Sequence, residues 1–475
     1  MSYNSDEYYR SKAFKQMLLD FQEAEKNNLP IMLEPEDYVD IAEYYYNRGQ
    51  VDYAQEISER AIDIYPGELM PLLFRARMEL TDFNNPQRAL FYAEQINDKF
   101  DTEYIYIMSE IMLAQGMIAE ADDYLEGKYA GLSEETQMLF AIDVAGIFSD
   151  YNLSAMAEKW LNRSDRVNAD DYKEQKARIH FDKGQFDECE KIYNELIDND
   201  PFSTQYWNAL ASSQFLSNKI QESIQSSDYS LAINPENAAA LLNKGNGMYN
   251  LGNYKEALHC YKKYVETNSD DESAHLLIGC CYMLDDKYEK AIEHFERAYR
   301  LSTKDSPYLL DIFRNWAMSL CKVNRKKEGF DMADMISIAD CDEYEQLVFK
   351  GSLYAECGDL EESNKCYFEA IEKSHYSPGV FMRVCIAIFD SGDMGLAYQM
   401  FKSLFTTVPD WNKGYAYMAT CCFYLKRIDE FLEYLKLAVE HTPEETKTLL
   451  GHLFPVDMEP IAYYDYMIKF LEKYK

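Results

Sequence analysis

The feature that most constrains this chain is a 34-residue repeat within residues 204–305. Ala257 and Ala291 are 34 residues apart, and so are Tyr261 and Phe295. A fixed period of about 20 to 50 residues is typical of arrays, in which each short unit buries its apolar face against its neighbours. The period therefore predicts a stack of similar units instead of a single globular core.

Each unit carries the sequence signals of two helices joined by a tight turn. In the copy that starts at Pro35, an apolar stripe at helical spacing precedes Gly49, and a second stripe ends at Pro66. Glycine suits the turn because it adopts a left-handed backbone without steric cost, and proline cannot continue a helix. A small residue recurs at one position of the first helix in the central copies: Ala211, Gly245 and Gly279.

The same pattern recurs over residues 34–445, with varying fidelity, and its clearest segments are Tyr415-x2-Met418-Ala419, Ala291-x3-Phe295-x2-Ala298 and Ala397-x3-Phe401. In this pattern the chain resembles the tetratricopeptide repeat family. The resemblance implies an all-α fold, a right-handed α–α superhelix of about 11–12 helix pairs with capping helices at both ends. A bacterial origin is expected as well.

The fidelity of the copies divides the chain into six predicted segments. They are an N-terminal capping helix (1–34), a partly degenerate array (35–203), the regular central repeats (204–305), a degenerate repeat with an insertion (306–343), a C-terminal array (344–445) and C-terminal capping helices (446–475). The first cap is predicted as one helix from Ser5 to Asn28, and the tail as an aromatic stripe of Tyr463, Tyr466, Met467, Phe470 and Leu471.

Composition limits the classes of function. The formal net charge is -36, which opposes binding to nucleic acid or to an anionic membrane surface. This charge favours a basic partner, or it simply keeps a long helical array in solution. No apolar run approaches the ~20 residues of a membrane-spanning helix, and the first ten residues lack the apolar segment of a secretion signal. Since the 11 Cys show no framework spacing, we expect reduced thiols in the cytoplasm.

In the family that the chain resembles, the first helices of the units line a groove that binds peptides or partner helices. When these groove positions are transferred to this chain by repeat register, they predict a groove with an acidic N-terminal end, an uncharged polar middle and an apolar, aromatic C-terminal end. The acidic positions are Glu36, Asp40, Glu43, Glu103, Glu110, Asp171 and Glu174. The middle positions are Gln205, Asn208, Ser212, Phe215, Asn243, Asn246, Tyr249 and Asn250. The apolar positions are Leu276, Met283, Met382, Phe389, Tyr417, Phe423 and Tyr424.

No catalytic or metal-binding pattern accompanies the repeats. The seven His are isolated in sequence, and the paired cysteines are adjacent rather than spaced as zinc ligands. Gly245-Asn246-Gly247 resembles a phosphate loop, but it falls inside a predicted helix instead of after a strand. We therefore expect no cofactor, no metal and no enzymatic activity.

The sequence thus favours a scaffold or adaptor that holds a protein or peptide ligand, basic at one end and apolar at the other. The alternative is a regulatory or chaperone-like subunit that holds client proteins or targets a separate enzyme. The asparagines of the middle segment suit hydrogen bonding to an extended ligand backbone, or they form an ordinary solvated helix face. Residues 446–475 either cap the array or dock a second copy of the chain.

Overall fold

A computed structural model describes residues 8–9, 11–27, 29–336, 342–455 and 458–473. Within these residues the regular secondary structure consists of helices joined by turns and short loops, without a strand. The helices form two compact units, residues 1–218 and 219–475. None of the helices in the described ranges is long and apolar enough to cross a membrane. The predicted all-α class is therefore confirmed, and each unit is a stack of antiparallel helix pairs.

The first unit begins with one extra helix, and helix pairs follow. Its helices are α1 Lys12–Lys26, α2 Pro35–Tyr46, α3 Val51–Ile64, α4 Leu69–Thr81, α5 Pro86–Ala93, α6 Thr102–Ala114, α7 Ile118–Tyr129, α8 Glu134–Asp150, α9 Ser154–Leu161, α10 Asp170–Asp182, α11 Phe186–Asn199 and α12 Thr204–Leu216. The even-numbered helices α2 to α12 are the first helices of their repeats.

The second unit begins with the second helix of the repeat that starts at Thr204. Its helices are α13 Ile220–Ile233, α14 Ala238–Asn250, α15 Tyr254–Thr267, α16 Glu272–Leu284, α17 Tyr288–Leu301, α18 Leu309–Lys322, α19 Lys326–Met335, α20 Glu343–Glu356, α21 Leu360–Lys373, α22 Pro378–Asp390, α23 Met394–Thr407, α24 Tyr415–Tyr424, α25 Ile428–His441, α26 Pro443–Leu450 and α27 Tyr463–Lys473. Two short 3-10 helices, Gly451–Leu453 and Pro460–Ala462, precede α27.

The small residue of the repeat lies where the first helix meets an aromatic ring of the second. A Cβ added to Gly279 would lie 2.4 Å from the ring of Phe295, and one added to Gly245 would lie 2.5 Å from the ring of Tyr261. Both rings are fully buried. Because carbon atoms pack at about 3.5–4.0 Å, only a residue without a Cβ fits there at the present helix separation. The 34-residue spacing of these pairs is thus a packing requirement.

The degenerate repeat keeps its helix pair by a different contact. Gly329 replaces the small packing alanine of the repeat pattern, and an added Cβ would lie 2.8 Å from the Cys321 Sγ and 2.9 Å from the Ala317 carbonyl oxygen. The larger Cys321 on α18 therefore occupies the volume that Gly329 leaves on α19. Residues 337–341, which belong to the predicted insertion segment, lie outside the described residues.

Tyrosine hydroxyls link successive repeats through carboxylates about one repeat away. Tyr9 donates to Glu43 at 3.0 Å and Tyr46 donates to Asp82 at 3.0 Å. The other pairs of this kind are Tyr8–Asp40, Tyr106–Asp143, Tyr206–Glu174 and Tyr398–Glu430. These six bonds show one use of tyrosine in this chain, since an aromatic ring can pack among helices while its hydroxyl donates to a carboxylate.

The two ends carry helices outside the repeat pattern. Helix α1 buries Phe14, Leu18 and Phe21 in a cluster with residues of α2 and α3; the predicted limits Ser5 and Asn28 lie outside the described residues. At the other end, Tyr463 of α27 stacks on Phe454 with ring centroids 3.8 Å apart. Both segments are packed against the neighbouring repeats of their own unit.

Candidate functional site

Within each unit, the first helices of successive repeats form an inner layer. In the first unit the contacts run from α2 to α4, α6, α8 and α10, and in the second from α16 to α18, α20, α22 and α24. Within each unit, most second helices pack against the first helix of their own repeat and against that of the next one. The exposed face of the inner layer therefore combines side chains from several repeats, as a binding surface for an extended or helical ligand requires.

The N-terminal acidic positions are largely used in internal contacts. Glu36 is exposed, whereas the carboxylate of Asp40 accepts a hydrogen bond from Tyr8. Glu43 is only 1% exposed and accepts from the hydroxyl of Tyr9. Burial raises the pKa of Glu43 to about 7, although the bond from Tyr9 opposes this shift. Glu43 is thus a core residue of the first repeats and is not accessible to a ligand.

The middle of the first unit has a partly compensated acidic surface. Arg77 lies 2.8 Å from Glu103 and 3.9 Å from Glu110, so one guanidinium serves two carboxylates. Burial raises the pKa of Glu110 to about 7, against the lowering effect of Arg77. Burial also raises the pKa of Asp143, which accepts from Tyr106 at 2.8 Å. A cation placed beside these carboxyl groups would favour their ionised form and lower their pKa values again.

The predicted asparagine-rich segment is divided between the two units. Asn208, Ser212 and Phe215 lie on α12 of the first unit and are partly exposed. Asn243, Asn246, Tyr249 and Asn250 lie on α14 of the second unit, with Asn250 the most exposed. The Asn246 side-chain oxygen accepts from the hydroxyl of Tyr261 at 2.8 Å. Tyr249 packs edge to face on Tyr254, with ring centroids 5.4 Å apart.

The apolar positions of the second unit range from packed to exposed. Met283 packs against the cluster around Phe295. Tyr417 lies edge to face with Phe389, with ring centroids 5.1 Å apart, and Phe423 lies 5.5 Å from Phe431. Tyr424, by contrast, is 55% exposed at the end of α24. Three of these residues therefore take part in repeat packing, and Tyr424 is the one that presents most of its ring to solvent.

A recess of the inner layer lies in the second unit, at positions that the sequence did not single out as a site. A cavity of about 600 Å³ opens between α18, α20 and α22. Its lining includes Met318, Ser352, Ala355, Arg383, Ile386 and Asp390. Ligand pockets have volumes of about 300–1,000 Å³. The sequence signal was the small residue pair Ser352 and Ala355 on α20, where the neighbouring first helices carry larger side chains.

A histidine pair joins the first helix α16, which carries the buried His275, to the second helix α17, which carries the partly buried His294. The Nδ1 atoms of His275 and His294 are 3.1 Å apart, and Nε2 of His275 lies 3.1 Å from the carbonyl oxygen of Ser269. Burial and the neighbouring His275 lower the pKa of His294 to about 4. Among the described residues, no group of three or more His, Cys, Asp or Glu side chains could hold a metal ion.

The sequence of residues 175–238 and 242–306 matches the family model of the tetratricopeptide repeat. These segments cover α11 to α17, which the structure shows as the predicted helix pairs. Residues 175–238 and 242–306 therefore consist of tetratricopeptide repeats. No curated protein matches its sequence.

Solved structures of tetratricopeptide repeat proteins are similar to parts of the chain. A tetratricopeptide repeat protein from Parabacteroides merdae is 16% identical, with 56% of this chain and 98% of that chain covered and a TM-score of 0.42. PilF of Pseudomonas aeruginosa is 17% identical, with coverages of 46% and 96% and a TM-score of 0.37. YrrB, described as having an unusual peptide-binding site, is 17% identical, with coverages of 38% and 91% and a TM-score of 0.33.

Proposed function

We propose that this tetratricopeptide repeat protein is a non-enzymatic scaffold or adaptor that binds a protein or peptide along the inner layer of its helix pairs. The observation that carries the proposal is the cavity of about 600 Å³ between three successive first helices. A recess bounded by several repeats suits a ligand that extends along the array, because each repeat contributes one short stretch of contact.

The surface charge of the first unit supports a partner with a basic segment. Glu103 and Glu110 share Arg77, and Asp143 has a tyrosine hydroxyl rather than a cation as its hydrogen-bond donor. A basic segment would stabilise these carboxylates, and the association rate should fall as salt screens the charges. The apolar end of the ligand, predicted from the sequence, would contact the second unit around Tyr424.

The compartment and the oligomeric state are part of the same proposal. The ten cysteines among the described residues are free thiols, which fits the reducing cytoplasm expected from the sequence.

Ile461 and Phe470, close to the C-terminus, are exposed and would suit contact with a second copy. A single concentration-independent monomer mass in light scattering would exclude self-association through this segment.

Site-specific photo-crosslinking tests the proposed inner-layer surface. The photoreactive residue p-benzoylphenylalanine replaces Tyr249 on α14 in one variant and Phe368 on the second helix α21 in the control; both positions are aromatic, and Phe368 is exposed. In the native cell we expect one partner protein to crosslink at position 249, at a fixed ratio of partner to this chain. We expect no crosslink at position 368. Equal labelling at both positions, or none at position 249, would refute inner-layer binding.

The same experiment distinguishes the alternative function. A mixture of many unfolded chains crosslinked at position 249, together with suppression of client aggregation in light scattering, would favour a chaperone-like holder over an adaptor with one folded partner.

A further inference from the structure

One face of α22 carries a positive, an apolar and a negative segment in order. Arg383, Ile386, Ala387 and Asp390 are spaced i, i+3, i+4 and i+7, so they form one stripe along the helix. All of them line the cavity between α18, α20 and α22. A rise of 1.5 Å per residue places the Cα atoms of the two charged residues about 10 Å apart along the axis of α22.

The positive end of this stripe is only partly neutralised. Glu345 on α20 lies 3.3 Å from Arg383 and 3.2 Å from Arg314 on α18, so one carboxylate serves two guanidinium groups. Arg383 is also 44% exposed at its side chain. A guanidinium has five N–H donors, and a shared carboxylate leaves several of them to face the cavity. A second carboxylate from a ligand would complete the charge balance.

The negative end lacks a cation in the part of the chain that the structure describes. The Asp390 carboxylate makes no hydrogen bond or ion pair with the described residues, and desolvation by its surroundings raises the pKa of this carboxyl group. Glu356, which also lines the cavity, is already paired with Lys322. Of the two carboxylates that line this cavity, Asp390 is therefore the one that a positively charged group of a ligand would stabilise more.

We propose that the cavity between α18, α20 and α22 binds a polypeptide segment in which an acidic and a basic side chain flank an apolar stretch of about 10 Å. The acidic side chain pairs with Arg383, the apolar stretch covers Ile386 and Ala387, and the basic side chain pairs with Asp390. The inference rests on the proposed partner binding. The inference adds the order of charges along the ligand, and this order fixes the direction of the bound segment relative to α22.

The test uses fluorescently labelled, end-blocked peptides of the sequence Gly-Glu-Leu-Leu-Lys-Gly. In an extended chain the Glu and Lys of this peptide lie about 10 Å apart, at about 3.3 Å per residue. Matched probes replace the Glu by Gln, or the Lys by norleucine. Affinities are measured by fluorescence anisotropy for the full chain and for the Asp390→Asn and Arg383→Gln variants. The control variant is Glu440→Gln, an exposed residue on α25 outside the cavity.

We expect removal of either peptide charge to weaken binding to the unchanged protein by about threefold to tenfold. In the Asp390→Asn variant, replacing the peptide Lys should no longer change the affinity, whereas replacing the peptide Glu should still weaken binding. The Arg383→Gln variant should show the opposite pattern. Such paired losses measure the coupling between two groups directly. Glu440→Gln should bind every probe as the unchanged protein does, and the melting curves of all variants should coincide.

Three results would overturn the inference: coupling below about twofold for both pairs, equal binding of the dipolar peptide and its uncharged analogue, or tighter binding of a peptide with two acidic or two basic residues. If crosslinking at position 249 still captures a partner while the peptides show no coupling, only this inference fails. If crosslinking also fails, the proposed function fails with it.

Discussion

Gly279→Ala tests the packing rule on which the repeat depends. The added Cβ would lie 2.4, 2.7 and 2.9 Å from three ring atoms of the buried Phe295. The shortest of these distances is more than 1 Å below ordinary carbon contact. Overpacking of this kind costs about 1–3 kcal/mol, and the better helix propensity of alanine returns up to about 1 kcal/mol. We therefore expect a net loss of about 1–2 kcal/mol.

Hydrogen exchange read by mass spectrometry suits this measurement, because long repeat arrays do not unfold as one two-state unit. Faster exchange should be confined to α16, α17 and the helices that touch them. Combining Gly279→Ala with Phe295→Leu should recover part of the loss, since a smaller side chain leaves room for the methyl group. The two changes should therefore be less than additive.

Gly127→Ala on α7 provides the matched control. Nothing lies within 4 Å of a Cβ added at Gly127, which is an exposed helical position. The same substitution there should stabilise its helix by about 0.5–1 kcal/mol. If Gly279→Ala instead proves as stable as the unchanged protein, or behaves like Gly127→Ala, the inference that ring packing excludes a Cβ from this position is wrong.

Three further changes test the core, the tyrosine contacts and the acidic surface. Ala291→Glu would bury an unpaired carboxylate at a fully buried position, at a cost on the order of 3–5 kcal/mol; unchanged exchange protection in α16 and α17 would contradict this. Tyr106→Phe removes the donor to Asp143 and should lower the stability of the first unit by about 1 kcal/mol, and an unchanged urea midpoint would argue against it. Burial raises the pKa of Glu110 from 4.5 to about 7, so its ionised form opposes folding increasingly as pH rises through that window. Glu110→Gln should therefore stabilise the first unit by about 1–2 kcal/mol at pH 8 and by less at pH 5; equal effects at both pH values in thermal melts would refute this.

The fold could be predicted because the repeat signal and the packing contact concern the same residues. Gly279 and Phe295 recur with the 34-residue period since one fits the helix approach that the other requires. Even a substituted turn was readable: Asn152 replaces the usual glycine and adopts φ 57°, which asparagine tolerates better than most residues. Boundaries were harder, because the predicted limit at residue 445 falls inside α26, Pro443–Leu450.

The helix on which each candidate residue lies could be predicted by register, but its accessibility could not. Register places Glu43, Asn246 and Tyr417 on first helices, where the structure also has them. Their partners, however, lie elsewhere in the chain: Glu43 accepts from Tyr9, Asn246 accepts from Tyr261, and Tyr417 packs on neighbouring rings. Whether a polar side chain on an inner-layer helix faces a ligand or a neighbouring repeat depends on contacts that no local pattern contains.

The cavity shows most clearly why the charge of a surface cannot be summed from sequence. The sequence predicted that the groove positions from Leu276 to Tyr424 are apolar and aromatic, yet the cavity in this part of the chain is bounded by Arg383 and Asp390. The helical spacing of these two residues around Ile386 and Ala387 was visible in the sequence. Its meaning depends on Ser352 and Ala355 of the preceding repeat, whose small side chains open the space beside the stripe. A ligand-binding recess in such an array is therefore a property of adjacent repeats taken together, and charge order within it constrains the ligand more than net charge does.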